Sequence, residues 1–229
     1  MLALSTTAET SKPVQDQTEQ PTIRQVVTFR HQAFRHRGLA GALLMTPIVL
    51  VVLTSPPLIQ EDGIGGQVLN TLGWLFFLAY AAIRVWATLF IGGRKNNVLQ
   101  VDGPYSVCRN PLYVGSTCFA LSIAFFLKSL TFGGALLVAF LYYWMFVVPD
   151  EEKFLEKRFG EVFRDYCRRT PRFWPRFGAF SSPKSVTVDM KFLRIEAARL
   201  SRAAFMPVAL TLLMRLRESS WWPDWFQLP

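Results

Sequence analysis

VLNTLGWLFFLAYAAIRVWATLFI, residues 68–91, carries a single charge, Arg84, in 24 positions. A helix needs about 20 mostly apolar residues to cross the hydrocarbon core, so this stretch is long enough to span. Three similar blocks flank it. Leu39 to Ile59 holds no charge, and Leu112 to Leu127 and Ser129 to Pro149 are divided only by Lys128. Leu112–Leu127 is short and needs its flanks to cross. A buried soluble bundle is the alternative, but four such blocks would overfill a soluble core. The expected fold is therefore all-α: a polytopic membrane helical bundle of about four transmembrane helices, with cytoplasmic amphipathic helices.

The loop charges orient the bundle. Arg24, Arg30, Arg35 and Arg37 precede the first block, and the next loop has only Glu61 and Asp62. Arg94, Lys95 and Arg109 follow the second block. Lys153, Lys157, Arg158, Arg164, Arg168 and Arg169 follow the fourth. Basic and base-poor segments alternate, so both termini are expected in the cytoplasm. The formal net charge of +9 then reflects this bias and the attraction of anionic headgroups, with no need for a nucleic-acid partner. Cys108, Cys118 and Cys167 are scattered, and His31 and His36 sit in the polar N-terminal part. Neither pattern makes a metal site or a Ser-His-Asp triad, so no metal is expected. Residues 1–37 read as a disordered polar tail with a basic juxtamembrane end. Residues 38–180 read as the core, and 181–229 as a basic, amphipathic, membrane-associated region. No internal repeat is visible. The compact chain without an organelle signal suggests a bacterial inner membrane.

Two segments on the basic side differ from ordinary loops. Between Gly92 and Gly115 lie the Gly103-Pro104 turn signal and Asn110-Pro111, an N-cap followed by a proline suited to a first helical turn. A helix starting there offers free N–H groups and a positive dipole end, although capping alone accounts for both residues. The other segment runs from Val148 to Tyr166. Leu155, Phe159, Val162, Phe163 and Tyr166 recur at helical spacing and predict one amphipathic helix. Asp150, Glu151 and Glu152 stand at its start. Acids favour that end of the dipole, but at a membrane boundary they also need water, a partner or a cationic ligand.

At these segments the chain resembles the isoprenylcysteine carboxyl methyltransferase and phospholipid methyltransferase family of integral membrane methyltransferases. The family pattern is Gly-x-Tyr, Arg-His-Pro-x-Tyr-x-Gly, a membrane hairpin, then Glu-Glu-x-x-Leu-x-x-x-Phe-Gly-x-x-Tyr-x-x-Tyr. Gly103, Tyr105, Arg109, Asn110, Pro111, Tyr113, Gly115, Glu151, Glu152, Leu155, Phe159, Gly160, Phe163 and Tyr166 carry the match here, within about residues 92–175. Asn110 stands for the usual His and Phe163 for the first Tyr. Val148 occupies the position where the eukaryotic prenylcysteine enzymes carry a substrate-contacting Arg, so a prenylcysteine carboxylate would lose that partner.

The resemblance implies S-adenosylmethionine as cofactor, held between membrane helices and the following cytoplasmic helix. By position, Asn97, Val98, Leu99, Gln100, Tyr105, Asn110, Pro111, Leu112, Tyr113 and Glu152 would contact it. Glu151 and Arg109 form the expected catalytic pair, with Glu151 the base if the acceptor is an amine. Arg84 either snorkels to the cytoplasmic face or lines the pocket and meets an anionic acceptor headgroup. The acceptor would be lipid-like or a prenylated or other apolar small molecule, a carboxylate or an amine, met at the bilayer. Two other functions are weighed. Membrane sterol and enone reductases share an Arg-x-Pro-x-Tyr-x-Gly signature and use a nicotinamide cofactor, but commonly follow it with an acid, where this chain has Ser116. A non-catalytic accessory protein retaining the fold is the other.

Only 12 residues separate Arg202 from Arg215, and Pro207 interrupts them. That is too short to span, so the C-terminal segment is expected to lie on or dip into the cytoplasmic leaflet. Trp221, Trp222 and Trp225 would anchor it. A fifth transmembrane helix is the alternative.

Overall fold

A computed structural model describes Ile59 and residues 63–91 and 98–219. The Leu39–Ile59 block, apart from Ile59, lies outside the described residues. So do the N-terminal tail, both histidines, Arg94, Lys95, Asn97 and the three terminal tryptophans.

Among the described residues the architecture is all-helical, without strands. The stretch around Arg84 forms α1, Ile64–Ile91. Pro104–Val107 is a single turn, α2, and Pro111–Leu127 is α3. Next come α4, Leu130–Tyr142, a π-helical turn, Tyr143–Val147, and α5, Val148–Phe159. They are followed by α6, Glu161–Arg169, α7, Met190–Ala203, and α8, Phe205–Arg217. Three helical runs are long and apolar enough to cross a membrane: Ile64–Ile91, Leu130–Phe159 and Met190–Arg217. Pro111–Leu127 is a shorter apolar helix. Leu137 and Val138 on α4 are largely exposed, as lipid-facing side chains should be.

Helices α1 and α3 form an antiparallel pair. Gly73 packs against the Phe126 ring, and the Ser122 hydroxyl donates to the Gly73 carbonyl at 2.8 Å. Tyr80 meets Phe119 with ring centroids 4.6 Å apart, and further along Gly115 meets Ile83 and the Arg84 stem. Lys128 ends α3 in a left-handed conformation (φ 49°) and donates to Asn70 at 2.9 Å. Ser129 then caps α4 by accepting from the Phe132 N–H.

The hairpin's return arm continues without a break from α4 into α5. Pro149 lacks the N–H that would serve the carbonyl one turn back, and the wider π turn before it, closed by the Val148 N–H on the Tyr143 carbonyl, accommodates that defect. The amphipathic helix expected over 148–166 is two helices. Gly160, at φ 57° and ψ −130°, separates α5 from α6 in a conformation that a residue with a Cβ rarely adopts.

The C-terminal segment differs from its expected place on the leaflet. Val186, just before α7, packs against the cluster of Ala87, Phe90 and Tyr105. Glu196 on α7 pairs with Arg84, and Met214 on α8 packs with Leu127 and Phe132 beside the α3–α4 turn. Helices α7 and α8 thus run the length of the bundle, antiparallel to α1. Counting charge-free residues understated the span because Glu196 is neutralised inside the protein. Pro207 sits in the first turn of α8, where a missing N–H is tolerated, and is fully buried.

A Cβ at Gly73 would lie 2.9 Å from the Phe126 ring. Gly73→Ala is expected to cost about 1–3 kcal/mol through overpacking. In thermal unfolding in detergent, combining it with Phe126→Leu should cost less than the sum of the two single changes.

Candidate active site

The site is built around a turn that only glycine can make. Gly103 has φ 62°, and a Cβ there would lie 2.4 Å from the Phe90 ring. Pro104 then starts α2, whose residues are all buried. The segment is laced to the chain that follows α6. The Gly103 N–H donates to the Ser181 carbonyl, the Arg109 N–H to the Pro171 carbonyl, and the Arg176 N–H to the Val107 carbonyl. The Tyr166 hydroxyl donates to the Tyr105 carbonyl at 2.7 Å.

Glu152 is held between two guanidiniums. Arg109 donates to its Oε1 from Nε (3.1 Å) and Nη2 (2.9 Å), and Arg172 donates from Nε to Oε1 (3.2 Å) and from Nη2 to Oε2. Arg109 Nη1 also donates to the carbonyls of Cys167 and Thr170, at 2.8 Å each. One side chain therefore links the start of α3, the acidic turn of α5 and the C-terminal end of α6. Glu151 accepts from the Tyr113 hydroxyl at 3.0 Å, and the Tyr113 ring lies 6.1 Å from that of Tyr143 in the π turn.

Of the residues singled out from sequence, Arg109, Asn110, Pro111, Tyr113, Glu151 and Glu152 are brought together. Pro111 opens α3 as read. Asn110 holds the N-cap position, but its side chain makes no cap hydrogen bond and donates instead to the Arg172 carbonyl at 3.2 Å. Leu112 packs against the Ala87–Phe90–Tyr105 cluster. Val98 is exposed, Leu99 and Gln100 are half-buried, and Asn97 lies outside the described residues. Arg84 neither snorkels nor stands alone: its Nε and Nη2 hold the two oxygens of Glu196 at 2.6 and 2.9 Å. Sequence reasoning missed Arg172, Tyr166 and Glu196 as partners. The pairs lie 20, 61 and 112 residues apart, and no local spacing announces them.

Burial raises the titration of several groups here. Loss of hydration pushes the Cys108 thiol up to about 11. The same cause raises the phenols of Tyr105 and Tyr166 well above their ordinary range. Among the described residues, no three His, Cys, Asp or Glu side chains cluster as metal ligands.

Residues 63–162 match the phospholipid methyltransferase family. The match covers somewhat less than half of the chain. The matched segment contains Arg84, the Arg109–Tyr113 run and both acids, and stops within α6, short of Tyr166, Arg172 and Glu196. Two curated proteins are similar to the chain. The nickel-cobalt-cadmium resistance protein NccN of Alcaligenes xylosoxydans xylosoxydans is 29% identical over 195 residues, 85% of this chain and 91% of that one. The cobalt-zinc-cadmium resistance protein CzcN of Cupriavidus metallidurans is 40% identical over 122 residues, 53% of this chain and 56% of that one. No solved structure matches.

Glu152→Gln leaves two guanidiniums facing a neutral amide and is expected to destabilise the protein by about 3–5 kcal/mol. Glu151→Gln keeps an acceptor for Tyr113 and should cost about 1 kcal/mol or less; chemical denaturation of the two variants compares them. The Cys108 thiol titrates higher folded than unfolded. Its contribution to stability is therefore intact below the ordinary thiol value of about 8.5 and lost as pH rises towards 11. Thermal midpoints should fall across that window, and Cys108→Ala should flatten part of the fall.

Proposed function

We propose that this protein is an S-adenosylmethionine-dependent methyltransferase acting on a lipid-like or apolar acceptor at the cytoplasmic boundary of the membrane. The match of residues 63–162 to the phospholipid methyltransferase family supports the reaction class. The observation that carries the reading is the polar cluster of Arg109, Glu152, Arg172, Glu151 and Tyr113 at the end of a bundle built on long apolar helices.

The residues present fit the cofactor. Its amino-acid end is zwitterionic and needs an acid and a base side by side, which Glu152 and the partly exposed Arg172 offer. A sulfonium is attracted to aromatic faces, which the Tyr113–Tyr143 pair offers. When bound, S-adenosylmethionine supplies the methyl carbon, which bonds to an acceptor oxygen or nitrogen as its bond to sulfur breaks, leaving a neutral thioether. Arg109 acts as a positioning residue. Four of its five N–H groups are spent on Glu152 and two carbonyls, so it fixes the acidic turn against the start of α3. A carboxylate acceptor arrives deprotonated and needs no base. An amine must lose a proton, and Glu151, tied only to the Tyr113 hydroxyl, is the carboxylate left to take it. Tyr113 orients that carboxylate. The Asn97–Gln100 segment and Leu112 complete the proposed cofactor wall. With this face cytoplasmic, as the Lys and Arg bias suggests, the end of α8 leaves on the other side of the bilayer.

The names of the two relatives add a context. Methylation of a carboxylate removes an anionic metal ligand, and quaternising an amine removes a nitrogen lone pair. Either product binds divalent cations less well than its precursor, which would connect methyl transfer with metal resistance. The same names favour one second reading, a non-catalytic accessory of a resistance system.

Membranes containing the protein, incubated with S-adenosylmethionine labelled in its methyl group, should transfer label to the organic extract. Glu151→Gln should lower that transfer about 100-fold for an amine acceptor and leave it unchanged for a carboxylate. Absence of extractable label with the unsubstituted protein would favour the accessory reading.

A further inference from the structure

The chain between α6 and α7 crosses the end of the bundle as a strap. Residues 171–181 are pinned at three points. The Arg109 N–H donates to the Pro171 carbonyl and the Arg176 N–H to the Val107 carbonyl. Ser181 accepts from the Gly103 N–H and donates its own N–H to the Ser106 hydroxyl. A segment so firmly held could bury its large side chains, yet Trp174 is 87% exposed, Phe177 69% and Phe180 52%. Three exposed aromatic side chains within seven residues mark an interaction surface.

Two ring contacts give the depth of this surface. Phe173 packs against Phe140 of α4 with centroids 6.1 Å apart. Phe140 lies ten residues before Asp150 on the continuous return arm, about 15 Å towards its apolar part. Phe180 packs against Trp86, five residues before the end of α1, with centroids 6.0 Å apart. The strap therefore touches both helices on the apolar side of their ends. Its backbone suits that level. Pro171 and Pro175 have no N–H, and those of Arg176, Ala179, Phe180 and Ser181 have protein acceptors. More than half of the strap thus brings no free donor to an apolar surface. The charge is one-sided: residues 166–188 contain five bases and no acid. Arg168 is paired with Asp165 and Arg172 with Glu152, which leaves Arg169, Arg176 and Lys184, all exposed. Aromatic side chains edged by bases suit the boundary between headgroups and acyl chains in an anionic leaflet.

We propose that residues 171–181 lie in the headgroup layer of an anionic bilayer leaflet, with Trp174 and Phe177 at the acyl boundary and Arg169, Arg176 and Lys184 on lipid phosphates. The lipids here form a surface and are not the methyl acceptor, so the proposal stands apart from the methyl-transfer reading. The contact has a consequence for the site. Arg172 is the second residue of the strap and a partner of Glu152. The return arm, Leu130–Phe159, has 30 residues, more than the hydrocarbon core requires, and by itself leaves the depth of the acidic turn unset. Seating the strap in the leaflet fixes that turn at the headgroup level.

The test places the full-length protein in nanodiscs, one copy in each, made from an equal mixture of phosphatidylcholine and phosphatidylglycerol. Trp174→Phe, at an exposed position, isolates the emission of Trp174 as the difference from the unsubstituted protein. Lipid brominated near the top of its acyl chains should quench that component. Bromine carried on the phosphatidylglycerol should quench it at least about twofold more than bromine carried on the phosphatidylcholine, since each base near the surface attracts anionic lipid. Arg169→Gln, Arg176→Gln and Lys184→Gln combined should remove that preference. A Trp174 component left unquenched by either brominated lipid would overturn the proposal. Quenching by aqueous iodide would then put the strap in water, and shielding from iodide would put it under protein. Equal quenching by the two lipids would rule out the anionic leaflet, and a preference that survives the triple substitution would remove the three bases from the contact.

Discussion

Arg109 is the side chain on which the end of the bundle that carries the acidic turn depends. Its fork grips Glu152 on one side, and on the other two carbonyls at the end of α6, groups that a helix terminus leaves without internal partners. The backbone of the same residue donates to Pro171. Three chain segments distant in sequence are thereby held together by one residue. Arg172 closes the cluster from the far side of Glu152, and Asn110 holds the Arg172 carbonyl. Each acid of the adjacent pair then has a separate task. Glu152 is held by two guanidiniums, mostly through Oε1, and maintains the geometry, whereas Glu151 faces a single phenol.

The helical blocks were legible because hydrocarbon imposes a simple rule: long charge-free runs span, and Lys128 or Gly-Pro punctuates them. The start of α3 at Pro111 was legible for the same local reason, since proline fixes the first turn. What escaped was non-local. Periodicity over 148–166 ran through Gly160 because Leu155, Phe159, Val162 and Phe163 keep apolar character on both sides of the break. A pattern of side chains cannot report the backbone's positive φ. Asn110 was read as a cap from its position, and its amide was recruited by a carbonyl 62 residues away.

The C-terminal segment shows the same limit in energetic form. Read from sequence, Arg202 and Arg215 bound an apolar run too short to cross, and Glu196 and Arg199 add charge just before it. Paired with Arg84, Glu196 no longer carries the cost of an isolated charge in a low-dielectric medium. The helix then extends along the whole bundle to Met214. Arg84, the one charge in α1, and Glu196, the one carboxylate within α7 and α8, explain each other, and neither is intelligible alone.

This pairing also bears on how the family segment is coupled to the rest of the chain. Gly115 belongs to the Arg-x-Pro-x-Tyr-x-Gly run that opens α3, and its missing side chain is what lets the Arg84 stem pass between α1 and α3. The residue that spaces the proposed cofactor helix thus also positions the fork that holds α7. A Cβ at 115 would press first on Ile83, at 3.3 Å, with the Arg84 stem beside it at 3.4 Å, and would touch no acid of the site. The helix that opens the acidic cluster and the far wall of the bundle are in this way tied by the packing around one guanidinium stem, which is more than a shared membrane location requires.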